Sequence, residues 1–217
     1  MQRTRWASRP LWPLVLWALG AGCAAKESPK TVAPQDDKPA AQPMESSSRP
    51  ASDREACLIV GEGYLITVTP PKGWRALCGD ELPAGRRELA IVLPEGSSTE
   101  PLTPPFMYLG LDAKPASTTL ATFIADGNDQ IVQGMTQSGQ KPPAITAHDS
   151  LTIYDGTAAP VWLYALPSSH RFEETSFSAF GDKVVMVSLL TSEGAQLGSL
   201  ERPFADLVAS LRFAATQ

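Results

Sequence analysis

The stretch "APVWLYALPSSHRFEETSFSAFGDKVVMVSLLTS" (159–192) decides the fold. It holds three runs rich in β-branched and aromatic residues, 159–167, 171–182 and 183–192. Pro167-Ser168-Ser169 separates the first two, and Gly181-Asp182 is a turn signal between the last two. "SLTIYDG" (150–156) stands just upstream and ends in the turn pair Asp155-Gly156. Four short strands joined by tight turns predict an antiparallel meander.

Working outward, "CLIV" (57–60) and "YLITVTP" (64–70) predict a strand pair across the Gly61-Glu62-Gly63 turn. "PPKGW" (70–74) stops the second strand and places Trp74 at its end. "ELAIVLP" (88–94) and "FMYLGLDA" (106–113) predict two more strands, with the proline-rich 94–105 as a loop between them. Thr118 or Thr119 caps a helix whose Leu120, Phe123, Ile124, Ile131 and Met135 share one face. Gly127 interrupts it at some cost, and Gly139 with Pro142 and Pro143 ends it. At the C-terminus, "LERPFADLVASLRF" (200–213) puts Leu200, Phe204, Leu207, Val208 and Leu211 on one helical stripe. Pro203 fits that helix in its first turn. Strands, helix, four strands and helix predict an α+β fold: an antiparallel β-sheet with helices packed on its faces, over residues 57–217.

The other end of the chain is built differently. Arg3, Arg5 and Arg9 precede an apolar run from Leu11, which closes on Gly20-Ala21-Gly22 before Cys23. Basic, then apolar, then small is the order of an export signal over 1–22. The run is shorter than the roughly 20 residues a spanning helix needs and contains Pro13. An ordinary signal needs no cysteine at that place. The segment resembles a bacterial lipoprotein lipobox, with Leu19 one position further from the cysteine than usual. The resemblance implies that Cys23 is acylated and holds the mature chain on a membrane. Ala24 rather than Asp after the cysteine implies the outer membrane, with the domain in the periplasm. Residues 23–56 then start with the lipidated cysteine and continue as a tether. From 24 to 56 there are five prolines, no aromatic residue, and Val32 as the sole β-branched aliphatic. Such a stretch buries too little apolar surface to offset its ordering entropy and is expected to be disordered. Its root-mean-square span would be roughly 30 Å.

Removing residues 1–22 takes three of the 18 basic side chains and none of the 23 acidic ones, so the formal charge moves from −5 to −8. An acidic body argues against nucleic acid as a partner, and against electrostatic attachment to anionic lipid. Attachment falls to the acyl chains, each buried CH₂ contributing about 0.8 kcal/mol.

The domain resembles the PsbP-like and DcrB-like family, which includes many bacterial lipoproteins. The resemblance rests on "ITVTPPKGW", "STTLATFIADGNDQIV", "GTAAPVWLYAL" and "PFADLVASLRF". It implies a PsbP-like sandwich for 57–217. Members of that family serve unrelated purposes, so the resemblance selects no activity.

Candidate chemistry is sparse. Cys57 and Cys78 are the two cysteines left after Cys23, and two cysteines in an exported domain predict a disulfide. Closing that loop contributes about 3 kcal/mol in the loop-entropy account. Free thiols or redox chemistry are the alternatives, without a CxxC to support them. His148 and His170, the two histidines, stand in no metal-binding spacing. No G-x-S-x-G elbow occurs. Asp80-Glu81 and Glu173-Glu174 are adjacent acids; on a strand such neighbours face opposite ways and do not form an acid/base pair. Arg86-Arg87 reads as a solvated loop. Trp74, Trp162, Tyr64, Tyr108, Tyr154, Tyr164, Phe177 and Phe180 are core aromatics first and pocket linings second.

No catalytic residue, metal ligand or cofactor is therefore expected. The leading expectation is a non-enzymatic, membrane-tethered binding or scaffolding module with a protein partner in the envelope. The alternative is an envelope enzyme or small-ligand carrier with a pocket on the sheet face. A deep pocket holding a histidine beside acids would favour the alternative; a shallow surface with an apolar patch would favour the module.

Overall fold

The computed structural model describes residues 56–83, 85–166 and 169–216. The signal segment, Cys23 and nearly all of the predicted tether lie outside the described residues. In chain order the elements are β1 (Cys57–Gly61), β2 (Tyr64–Val68), β3 (Trp74–Cys78), β4 (Ala90–Pro94), β5 (Phe106–Ala113) and α1 (Leu120–Gln137). They continue with β6 (Ala144–Thr152), β7 (Ala158–Leu166), β8 (Arg171–Phe180), β9 (Lys183–Thr191), α2 (Leu197–Ser210) and β10 (Arg212–Ala215).

Seven strands form one antiparallel sheet in the order β3-β4-β5-β9-β8-β7-β6. The predicted meander is its β6–β9 half. β9 lies near the middle and its eight residues after Lys183 are buried, which is why its sequence is a near-continuous apolar run instead of an alternation. Val185, Val187 and Leu189 face one side and join the main core. Val184, Met186 and Leu190 face the other.

That second side is covered by α1. Thr119 caps it, its side chain accepting from the Thr122 N–H, and Phe123, Ile124, Gly127, Ile131 and Met135 are buried. Gly127 therefore belongs to the packed face. Gly139, at φ 73°, ends the segment in the left-handed region as the sequence predicts.

The first side is covered by α2 and a second sheet of three strands, β1-β2-β10. Here the structure corrects the sequence reading five times. There are two sheets, not one. Trp74 opens strand β3 instead of closing the previous one; Gly73 at φ 78° turns the chain from one sheet into the other. β6 begins at Ala144, not Ser150; it is an edge strand, largely exposed and bulged between His148 and Leu151, so it shows no apolar alternation. α2 begins at Leu197, so Pro203 lies in its second turn, where its ring nitrogen cannot donate to the Ser199 carbonyl. The final residues leave that helix as β10 and pair with β2, with Phe213 opposite Ile66 and Ala214 opposite Leu65. Ser210 Oγ ties this junction down: it accepts from the Thr69 N–H at 3.0 Å and lies 3.1 Å from the Thr69 carbonyl.

Cys57 and Cys78 are joined by a disulfide with Cα atoms 6.1 Å apart. It connects the first residue of β1 to the last residue of β3, and so one sheet to the other.

Candidate functional site

The register of the small sheet sorts its residues. Ile59, Ile66 and Phe213 form one cross-strand row, and Val60, Leu65 and Ala214 form the next. Adjacent rows point to opposite faces. The first row turns into the core, where Ile66 is fully buried. The second points outward, as does the row Leu58, Thr67 and Arg212.

Along β10, between β2 and the Ile153–Asp155 turn, runs a groove of about 350 Å³. Leu65, Phe180, Leu211 and Phe213 give it apolar walls, and the Ile153–Asp155 turn forms its other bank. Phe213 stacks on Phe180 with ring centroids 4.5 Å apart, and Tyr64 stacks on Phe213 at 6.2 Å. The Arg212 guanidinium lies 3.7 Å from the centre of the Tyr154 ring at the rim. Asp155 Oδ1 accepts from the Thr157 N–H, and that bond holds its carboxyl below the usual carboxylate range. The rim thus presents one cation and one anion, and the floor is apolar.

A second cluster sits on the α1 side of the large sheet. Tyr108 on β5 donates to Glu173 Oε1 on β8. Thr175 Oγ1 approaches the same oxygen at 3.4 Å and lies 2.8 Å from Ser188 Oγ. Burial raises the Glu173 carboxyl above the ordinary range, against the hydrogen bonds that favour its charged form. Burial, followed by the nearby Glu173 charge, raises the Tyr108 hydroxyl well above its usual value. Tyr164 donates to Asn128 Oδ1 of α1 at 2.8 Å, and burial raises its hydroxyl too. Glu173 is engaged by two hydroxyls, and Tyr164 is spent on fixing the helix. The cluster is a hydrogen-bonded interior network.

Glu173 and Glu174 do face opposite ways, as strand geometry requires. Glu174 instead meets His148, whose Nδ1 lies 2.9 Å from Oε1. That pair links the edge strand β6 to β8 with the His148 side chain 38% exposed, and neither residue lines the groove. His170 is exposed in the β7–β8 turn at φ 50°. The two histidines are not brought together there. Among the described residues no group of three or more His, Cys, Asp or Glu side chains converges. Asp80-Glu81 lie in a short exposed 3-10 turn, and Arg86 pairs with Glu88 at 3.5 Å.

Of the aromatics named from sequence, Trp74, Tyr164 and Phe177 are buried in the core. Tyr154 and Phe180 line the groove, and Tyr64 buttresses it through Phe213. Leu65, Arg212 and Phe213 were not singled out. Their role depends on β10 pairing with a strand almost 150 residues earlier, which no local pattern signals.

No protein-family model matches the chain, and no curated protein matches it. Among solved structures, it is similar to the cyanobacterial PsbP (CyanoP) of Synechocystis sp. PCC 6803, at 13% identity and a TM-score of 0.47. That match covers 79% of this chain and 99% of the other. It is also similar to LpqN of Mycobacterium tuberculosis, a protein involved in cell envelope biogenesis, at 14% identity and a TM-score of 0.43. Here the coverage is 75% of this chain and 91% of the other. Neither likeness carries an activity to this chain.

Proposed function

We propose that this chain is a non-enzymatic envelope lipoprotein that acts as a binding or scaffolding module. In this reading residues 1–22 are removed on export and Cys23 carries the acyl chains. Residues 24–56 form the tether, and the domain from Cys57 works in the periplasm beside the outer membrane. The observation that carries the binding role is the groove beside β10, apolar on its floor and flanked by Tyr154 and Arg212. An apolar trough with a few polar groups at its rim suits recognition. An enzyme would need an acid/base or nucleophilic set aimed into such a trough, and the titratable groups on its lining are Tyr154, Asp155 and Arg212.

The test is crosslinked purification from membranes of the wild type and of Leu65→Arg, which puts a charge into the groove at a half-buried position. A partner recovered with the wild type and lost with Leu65→Arg supports the reading. Mass spectrometry of the N-terminal peptide checks the anchor. A mature N-terminus downstream of Cys23, without acyl chains, overturns the lipoprotein assignment.

A further inference from the structure

The groove leaves one feature of the small sheet unused. Leu58 is 59% exposed and Val60 71% exposed, both on the outer face of β1. β1 is an edge strand of its sheet. Edge strands are ordinarily blunted by charge or proline. β1, Cys57-Leu58-Ile59-Val60-Gly61, has neither. Its apolar surface continues inward through the row Val60, Leu65 and Ala214.

We propose that this outer β1 edge rests on the lipid bilayer to which the chain is anchored. The proposal rests on the anchor at Cys23 put forward above. The location of the patch argues for lipid. The chain outside the described residues ends at residue 55, two positions before β1, so the proposed tether joins the domain at this strand. A tether spanning roughly 30 Å keeps it at high local concentration there. Two aliphatic side chains bind a bilayer weakly alone, and the anchor makes that contact persistent. The disulfide from Cys57 to β3 fixes the strand that presents them, which lowers the ordering cost of contact. Charge does not drive it. Glu62 sits in the adjoining turn, and the outer face of the sheet offers Arg212 as its single cation. Contact should therefore be apolar and indifferent to salt. It would set the β10 groove at the level of the membrane surface.

The test uses the full lipidated chain in phosphatidylcholine vesicles that contain a diazirine-bearing phosphatidylcholine, with adducts located by mass spectrometry. Adducts should concentrate on the peptide holding Leu58 and Val60, with a yield unchanged as salt is raised. The exposed double variant Leu58→Asp, Val60→Asp should stay on the vesicles through its acyl chains and lose adduct there by about tenfold. Adducts spread evenly over α1 and the large sheet, or a yield that falls with salt, would overturn the proposal. So would protein–protein crosslinks through β1 without lipid adducts, which would assign the edge to a second copy. A wild-type protein that washes off the vesicles removes the anchor itself and this inference with it. Retention without adducts on β1 removes the inference alone.

Discussion

The two sheets are assembled by different means. The seven-stranded sheet takes most of its pairings from chain neighbours: β6 to β7, β7 to β8 and β8 to β9 follow one another through short turns. Its middle strand is buried on both faces. The three-stranded sheet joins Cys57–Val68 to Arg212–Ala215, the two ends of the domain. Its outer face meets solvent, and a disulfide clamps it to the larger sheet. Long-range closure forgoes local reinforcement, so the smaller sheet should open first. It also carries the groove and the apolar edge. Surfaces that bind are commonly drawn from the less stable parts of a fold.

Substitutions can break this contrast. The largest effect should come from Phe177→Ala, since Phe177 is fully buried in the large sheet. It should cost about 3–5 kcal/mol, read as one cooperative loss in urea unfolding. Replacing Cys57 and Cys78 together with serine should cost about 3 kcal/mol. Its signature is local: amides of β1, β2 and β10 should exchange faster at once, while those of β8 and β9 follow only global unfolding. Uniform acceleration would erase the distinction between the sheets. Phe213→Ala, at a half-buried site that stacks on Phe180 and Tyr64, should cost about 2 kcal/mol and open the groove.

A pH experiment sharpens the other side of the comparison. Burial lifts the folded Glu173 carboxyl above the ordinary 4.5, so the folded state holds that proton more tightly than the unfolded chain. The resulting stability is fully present below pH 4.5 and is lost as pH rises through the raised value. Glu173→Gln keeps an acceptor for Tyr108 and removes the loss. The fall in Tm between pH 4.5 and neutrality should be smaller in the variant than in the wild type. An equal fall would mean that Glu173 ionises freely in the folded state.

The same contrast marks how far the sequence could be read. β7, β8 and β9 were legible because their apolar and aromatic residues alternate or run together between clear turns. α1 was legible, with its cap narrowed to Thr118 or Thr119, and the structure selects Thr119. β3 was hidden by Gly73, which reads as a strand stop, although here it redirects the chain into another sheet. The first part of β6, 144–149, was hidden because an exposed edge strand has no apolar face to betray it. β10 was hidden because "LRF" continues the α2 stripe; its pairing with β2 depends on residues at the far end of the domain. The groove is formed by that pairing. Tyr154 and Phe180 could be named beforehand, whereas their relation to Arg212 and Phe213 could not.

The most direct test of the central claim, that the groove at the β10 edge is the recognition surface, is photocrosslinking in intact cells. A benzoylphenylalanine at Tyr154, exposed to 60% on the groove bank, is compared with one at Val132, exposed on α1 over the large sheet. The account predicts a discrete adduct from position 154, abolished by Leu65→Arg, and none from position 132. An adduct from position 132 with none from position 154 would contradict it and move recognition to the helix-covered face of the large sheet.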